Sequence, residues 1–275
     1  MNPLPPDWLD HVAARPDANA FVLVDTAMQH ELGAKLARAP GDALPLSPDL
    51  PGNAAALSAW IMPAETALSH GVDGSARGVN WISTTSLLAD ARDRLRRWAF
   101  TPLPDGAQRG YLRIADGRVL PALMQVWTPP QRAAFLAPWL AWCHADRDGR
   151  GVMLSIEHDA SDEPKDVSPH LDERQYQRLL DESIPDQLLH ALKGVVQPHP
   201  SLASRHSRYC VAASLVDKAH EFGITDPQDW MALIAWSLQA GYPALQQVFV
   251  QPAVRAGRRG TALWDELMSA PAGAR

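Results

Sequence analysis

The sequence predicts an α+β protein with an amino-terminal α/β lobe, containing a small mixed sheet, and a carboxyl-terminal lobe made only of helices. In the first part of the chain, short runs of β-branched and aromatic residues alternate with helical patterns. A polar segment follows at residues 159–169, and beyond it the apolar residues recur at helical spacing. We therefore place the two lobes at residues 1–158 and 168–275.

Four runs predict the strands of the first lobe. They occupy residues 20–27, 79–85, 111–114 and 152–156, and all are rich in aliphatic or aromatic side chains and short for a helix. Asp-Gly turns precede the last two runs. The residues between the runs have helical patterns, which predicts a sheet with helices packed on it.

Two helices of this lobe have clear sequence signals. One has an apolar stripe at Leu88, Ala91, Leu95 and Trp98, with Ser86 as the expected N-cap. The other begins at Thr128, where Thr-Pro-Pro-Gln predicts a capping box with proline at the first helical position. It is expected to end near Pro138.

The second lobe has two long apolar stripes. The first consists of Leu180, Ile184, Leu188 and Leu192, and the second of Tyr209, Ala212, Val216, Ala219 and Phe222. Pro185 is expected to kink or divide the first helix, with Ser183 as the cap of a second piece. Asp226-Pro227 predicts the start of a further helix that ends at Gly241.

Composition excludes several classes of protein. The 25 Lys and Arg are outnumbered by 31 Asp and Glu, so the net charge of -6 leaves no basic field for nucleic acid. Two cysteines are too few for a disulfide framework. The amino terminus has no signal-peptide pattern, and no apolar run approaches the about 20 residues that span a bilayer. We expect a cytoplasmic protein without a membrane partner.

The strong catalytic motifs are absent. His30-Glu31 and His220-Glu221 begin a zinc-protease pattern, but Ala34 and Ile224 stand where its second histidine is needed. A hairpin offers a weaker metal-ligand set, which consists of His144, Asp146, Asp148, His158 and Asp159. Turn chemistry is the favoured interpretation of that set, and no cofactor is expected.

Two groups of residues allow a binding role beside a structural one. Trp139 and Trp142 are interpreted first as core residues, and alternatively as the lining of a protein-binding groove. Arg255, Arg258 and Arg259 form a basic patch that is either solvated or in contact with a polar partner.

Four charged residues form the most interesting set. Arg113, Asp116 and Arg118 lie within six residues, and Asp25 ends a strand expected to neighbour theirs. Buried charges need partners of opposite sign, which favours a structural ion-pair cluster. General acid–base catalysis is the alternative, although no nucleophile or metal ligand joins the set.

The same residues carry a family resemblance. Its blocks are Phe21 to Ala27, Trp81 to Thr84, Leu95 to Arg97, Tyr111 to Leu120 and Phe135 to Trp139. Their order and spacing resemble the uncharacterised-domain (DUF4123-like) family of type VI secretion effector adaptors. Arg113, Asp116 and Arg118 match the hallmark turn of that family, whereas Gly117 stands where proline is common.

The resemblance implies a binding protein without enzymatic activity. Such adaptors hold a toxic effector protein and help to load it onto the VgrG spike protein. The stripes of the second lobe suggest a groove for the effector, which gives Leu188, Leu192, Tyr209 and Phe222 as expected partner-binding residues. Trp139 and Trp142 in the first lobe are the other two. The alternatives are a hydrolase that uses Asp25 or Asp116 with a histidine from residues 144–158, and a secretion-apparatus protein that loads no effector.

Overall fold

The chain forms two compact units in a computed structural model, residues 1–179 and residues 180–275. The residues described are 6–50, 52–106, 109–156, 167–241 and 247–269. All the named strands lie in unit 1 and unit 2 is built from helices, which confirms the α+β class. The predicted linker at residues 159–169 lies largely outside the described residues, and the division between the units falls within a helix.

Unit 1 combines strands with surrounding helices. Its strands are β1 (Asn19–Asp25), β2 (Leu44–Pro45), β3 (Ala59–Pro63), β4 (Val79–Thr84), β5 (Phe100–Pro102), β6 (Arg109–Tyr111), β7 (Ala141–Ala145) and β8 (Gly151–Met153). Its helices are α1 (Pro6–Ala13), α2 (His30–Arg38), α3 (Ala64–Ser69), α4 (Leu88–Ala99), α5 (Val119–Val126) and α6 (Pro129–Leu136), with a 3₁₀ turn at Gly52–Leu57.

The main sheet has six strands in the order β2-β3-β1-β4-β7-β8, and every described pairing in it is antiparallel. The expectation of a mixed sheet is therefore wrong for these pairings. β1 is central and buried on both faces, since Phe21 and Leu23 pack into one apolar cluster and Val22 and Val24 into another. This explains why its sequence is a continuous apolar run rather than an alternating one.

Several predicted boundaries move. The strand expected at residues 111–114 ends at Tyr111, because β6 pairs with β5 in a separate two-stranded sheet and the chain then turns. Ser86 does not cap α4, whose N-cap is Leu87 without a side-chain hydrogen bond. The capping box of α6 is confirmed, with Thr128 and Gln131 bonded reciprocally.

Unit 2 is helical. Its elements are α7 (Glu173–Ala191), which begins in unit 1, α8 (Arg205–Glu221), α9 (Pro227–Ala240), α10 (Pro252–Arg255) and α11 (Gly260–Ser269), with 3₁₀ turns at Pro200–Leu202 and Val248–Val250. α9 lies at the centre and packs against α8, α11 and the second 3₁₀ turn. No helix in the described ranges has both the length and the hydropathy needed to cross a bilayer.

The predicted division at Pro185 is wrong, because α7 continues through this residue as one helix. Pro185 has no amide hydrogen and therefore removes one backbone hydrogen bond from the helix. Its ring is buried, and this packing offsets the lost bond. Ser183 donates its hydroxyl to the Leu180 carbonyl at 2.7 Å instead of capping a second piece. Tertiary packing thus outweighs the local preference of proline.

Gly33 allows α2 to lie close to the 3₁₀ turn. A Cβ atom at this position would lie 2.0 Å from the Ala56 carbonyl oxygen, which is backbone and has little freedom to move. Gly33→Ala is therefore expected to destabilise the fold by about 2 kcal/mol in urea unfolding. In an open helix the same change stabilises by about 0.5–1 kcal/mol, so the sign of the effect is the test.

The exposed neighbour Ala34 provides the matched control. Ala34→Gly is expected to cost about 0.5–1 kcal/mol, the ordinary propensity difference. A Gly33→Ala protein as stable as the wild type would contradict the close approach of helix and turn.

Candidate functional site

The predicted charged residues lie at one edge of the main sheet. β1 ends at Asp25, and the register pairs Val24 with Val79 at the start of β4. The register also pairs Asn80 with His144 near the end of β7, so three adjacent strands present their ends at the same edge. The turn at residues 112–118 crosses this edge. We call Asp25 and the turn residues Arg113, Asp116 and Arg118 the sheet-edge cluster.

The structure brings all four residues of the sheet-edge cluster together. Arg113 donates from Nε and Nη2 to Asp25 Oδ2, at 2.9 and 2.8 Å. Arg118 donates from Nε to Asp116 Oδ1 at 3.0 Å and from Nη2 to Asp116 Oδ2 at 2.7 Å. Arg113 Nη1 lies 4.0 Å from Asp116 Oδ2, which links the two pairs. Arg113 is thus paired more closely with Asp25 than with Asp116.

Backbone donors complete the environment of both carboxylates. The Ala27 amide donates to Asp25 Oδ1 at 3.0 Å, and the Arg118 amide donates to Asp116 Oδ1 at 3.0 Å. The side chains of Asp25 and Asp116 are each 1% exposed, whereas the side chain of Arg113 is 36% exposed. The carboxylates are therefore held inside the fold, with guanidinium groups between them and the solvent.

The pKa values of the two carboxyl groups are shifted in opposite directions. Burial raises the pKa of Asp25, and the charge and hydrogen bond of Arg113 offset this only in part. Burial also acts to raise the pKa of Asp116, but the hydrogen bonds and charge of Arg118, together with the charge of Arg113, lower it below the usual value. Asp116 is accordingly the better stabilised carboxylate.

Gly117 permits the turn to approach the strand ends. Its amide donates to the Arg77 carbonyl at 2.8 Å, and a Cβ atom would lie 2.0 Å from the Ala145 carbonyl oxygen at the end of β7. A proline at this position, expected from the resemblance, has a Cβ atom and no amide hydrogen, so it does not fit this approach. The glycine is a requirement of the local packing here.

Asn80 joins the turn to the centre of the sheet, and the sequence does not single it out. Its Nδ2 donates to the Ala115 carbonyl at 2.7 Å, and its Oδ1 accepts from the indole of Trp142 at 3.0 Å. Asn80 is fully buried in β4. An asparagine inside an otherwise strand-forming run is the signal that identifies such a residue, because it is disfavoured there unless it is bonded.

Most of the predicted partner-binding residues are buried. Trp139 and Trp142 are 0% exposed and pack edge to face, with ring centroids 5.5 Å apart. Leu188 and Leu192 are buried in the core of unit 2. These four side chains are therefore not at the surface of the described structure, because the apolar surfaces that suggested a groove cover one another inside each unit, and their partner-binding role stays a prediction.

The remaining two predicted residues differ from each other. Tyr209 is half-buried and its hydroxyl donates to Glu182 Oε2 at 3.1 Å, which joins α8 to α7. Phe222, at the end of α8, is 61% exposed. Only Phe222 of the six presents a large apolar surface to the solvent.

The end of α8 explains why Phe222 points outward. The Ile224 amide donates to the Ala219 carbonyl at 2.8 Å and the Gly223 amide to the His220 carbonyl at 3.0 Å, the two bonds of a Schellman motif. Gly223 has the left-handed φ of 68° that this motif requires. The motif directs Ile224 into the core and leaves Phe222 at the surface.

Phe222 borders an apolar groove of about 570 Å³. Its ring stacks on Phe249 at 4.9 Å with an interplanar angle of 14°. The groove, here called the Phe222 groove, is lined by Lys218, Glu221, Phe222, Ile224, Phe249, Val250, Val254, Arg255 and Arg259. Two arginines of the predicted basic patch thus border it, while the third, Arg258, lies 3.5 Å from Glu266.

Unit 1 has a larger cleft, in which two of the three lining arginines already have partners. Its volume is about 860 Å³, and Arg96, Arg97 and Asp49 are among its lining residues. Arg96 pairs with Asp49 at 2.6 Å, and Arg97 donates to the Val167 carbonyl at 3.0 Å. These contacts leave the cleft a weaker binding candidate than the Phe222 groove.

The possible metal-ligand set is only partly described, since His158 and Asp159 lie outside the described residues. Asp146 Oδ1 accepts from the amides of Asp148 and Arg150, both at 2.8 Å, as a turn-stabilising carboxylate does. Within the described part of the chain, no three His, Cys, Asp or Glu side chains are grouped to hold a metal ion.

Comparison with known proteins identifies one domain. Residues 20–134 match the family model described as a domain of unknown function, DUF4123. The match contains the whole sheet-edge cluster and ends inside α6. No curated protein and no solved structure matches the chain.

Opposite pH dependences are expected for Asp25→Asn and Asp116→Asn. Asp116, with its lowered pKa, stabilises the fold above its unfolded pKa, and this contribution disappears as the pH falls through the folded pKa. Asp25, with its raised pKa, contributes stability below its unfolded pKa that disappears as the pH rises through the folded pKa. Urea unfolding between roughly pH 3 and 7 measures both effects.

The difference in unfolding free energy between wild type and Asp116→Asn is therefore expected to shrink on acidification, and that for Asp25→Asn to grow. Asp265→Asn, at an exposed position, is the control. If both differences shrank, or both grew, on acidification, the opposite pKa shifts of Asp25 and Asp116 would be contradicted.

Arg113→Ala is expected to destabilise the protein by about 2 kcal/mol in chemical unfolding. It leaves the buried Asp25 carboxylate without its cation, and the partial exposure of Arg113 lets water replace some of the interaction. Arg113→Ala in the Asp25→Asn background is expected to cost less than in the wild type. Unchanged unfolding combined with lost partner binding would instead identify Arg113 as a contact residue.

Proposed function

We propose that this protein is a type VI secretion effector adaptor, a cytoplasmic binding protein that holds a toxic effector and helps to load it onto the VgrG spike protein. The observation that carries the proposal is the Phe222 groove, where an apolar surface is exposed on a helical unit. Exposed apolar concavities of this kind are typical of protein-binding sites. The DUF4123 match over residues 20–134 supports the proposal from the other unit.

The two units have different tasks in this proposal. The sheet-edge cluster keeps the turn at residues 112–118 in a fixed position on unit 1, while unit 2 supplies the apolar contact. An aggregation-prone segment of the effector binds with its apolar side chains in the groove, which shields them from water. The effector leaves the adaptor when it docks on the spike. A transient complex of this kind needs only a modest interface.

Co-expression with the protein encoded beside this gene tests the proposal. We expect the effector to co-purify with the full chain as a soluble complex of defined mass in size-exclusion chromatography with light scattering. The effector expressed alone is expected to be less soluble, because its docking segment is then uncovered.

The matched control is an effector that is encoded beside a different spike gene, and it is expected not to co-purify with this chain. If folded, soluble protein binds neither the neighbouring effector nor the spike, the adaptor function is wrong.

A further inference from the structure

The floor of the Phe222 groove fits bulky apolar side chains. Phe222 is 61% and Val250 49% exposed, whereas Ile224 and Phe249 beneath them are buried. The Phe222 ring stacks on buried Phe249, so Phe222 and Val250 provide the exposed apolar surface of the groove. Such a surface binds leucine, methionine or aromatic side chains through their contact area.

The rim of the groove is basic, although the chain carries a net charge of -6. Lys218, Arg255 and Arg259 face a single acidic residue, Glu221. Arg259 has a neighbour in Asp229 at 3.5 Å, but Arg255 has no ion-pair partner among the described residues. A local excess of positive charge on an acidic protein favours a partner with carboxylates at matching positions.

The dimensions and surroundings favour a helix as the occupant. A volume of about 570 Å³ holds several side chains, as the i, i+3 and i+4 positions of an amphipathic helix provide. An extended peptide that binds by strand addition needs an exposed sheet edge, whereas the elements that form this groove are helices and a 3₁₀ turn.

We propose that the Phe222 groove binds an amphipathic helix of the effector, with bulky apolar residues against Phe222 and Val250 and acidic residues beside Lys218 and Arg255. The inference rests on the proposed adaptor function and specifies the chemistry of the segment that it recognises. Apolar contact supplies most of the affinity, and the charges orient the helix and accelerate its association.

Two synthetic peptides test the chemistry directly. Both are helices of about 18 residues with the same leucine and phenylalanine face, and they differ only in a glutamate or a lysine polar face. By fluorescence anisotropy with the full chain, the acidic peptide is expected to bind roughly tenfold tighter, and the preference is expected to weaken at high salt. Equal affinity for the two peptides would overturn the charge assignment.

Substitutions locate the binding to the groove. Phe222→Ser and Arg255→Glu are each expected to weaken binding of the acidic peptide roughly tenfold. Arg255→Glu is also expected to reduce the difference in affinity between the acidic and the basic peptide. Val195→Ser and Lys193→Glu are the matched controls, because both residues are exposed in unit 2 and neither lines the groove. Equal losses in the controls would contradict a localised site.

The effector complex separates this inference from the adaptor function. If wild type, Phe222→Ser and Arg255→Glu all retain the neighbouring effector, the adaptor function stands and the groove assignment is wrong. If wild type binds the acidic peptide but no effector, the adaptor function fails while the groove chemistry stands. A concentration-dependent dimer that Phe222→Ser dissociates would identify a second copy of the chain as the occupant and overturn the proposal.

Discussion

The interaction on which unit 1 depends is the compensation of two buried carboxylates by guanidinium groups from one turn. A buried, unpaired carboxylate costs several kcal/mol, so Asp25 and Asp116 require Arg113 and Arg118 nearby. Arg113 is 88 residues from Asp25 in sequence, and its hydrogen bond therefore fixes a long connection against the end of β1. Because that end is aligned with β4 and β7, one charge pairing also positions the turn across three strands.

The neutral contacts around the sheet-edge cluster make this pairing specific. Asn80 binds the turn through the Ala115 carbonyl and the sheet core through the indole of Trp142. Gly117 removes the side chain that would separate the turn from Ala145. Ion pairs alone tolerate shifts of register, whereas a buried amide and a backbone contact without room for a Cβ atom do not. The charges supply the attraction and these two residues define the position.

The sequence predicts much of the fold because several signals are local. The run that forms β1 and the Thr128 capping box depend on neighbouring residues, and both appear as expected. The segment Leu112 to Ile114 has strand propensity but leaves the strand after Tyr111, and the turn brings Arg113 to Asp25. Burial of Trp139 and Trp142 is equally a long-range outcome, since an apolar pattern does not say whether the chain itself or a partner covers it. The Phe222 groove needs residues from separate helices and is invisible in any one segment.

The Schellman motif makes the exposure of Phe222 informative. Gly223 and Ile224 already end α8 and supply its buried apolar contact, so the fold does not need an aromatic ring at the preceding position. An exposed phenylalanine on Phe249, beside exposed Val250, enlarges the apolar surface that contacts water. The stack on buried Phe249 stabilises the fold, but it leaves Phe222 61% exposed, and folding stability does not explain that exposed surface. A partner that covers Phe222 and Val250 removes this unfavourable hydration, and the exposed apolar surface therefore supports the proposed binding role.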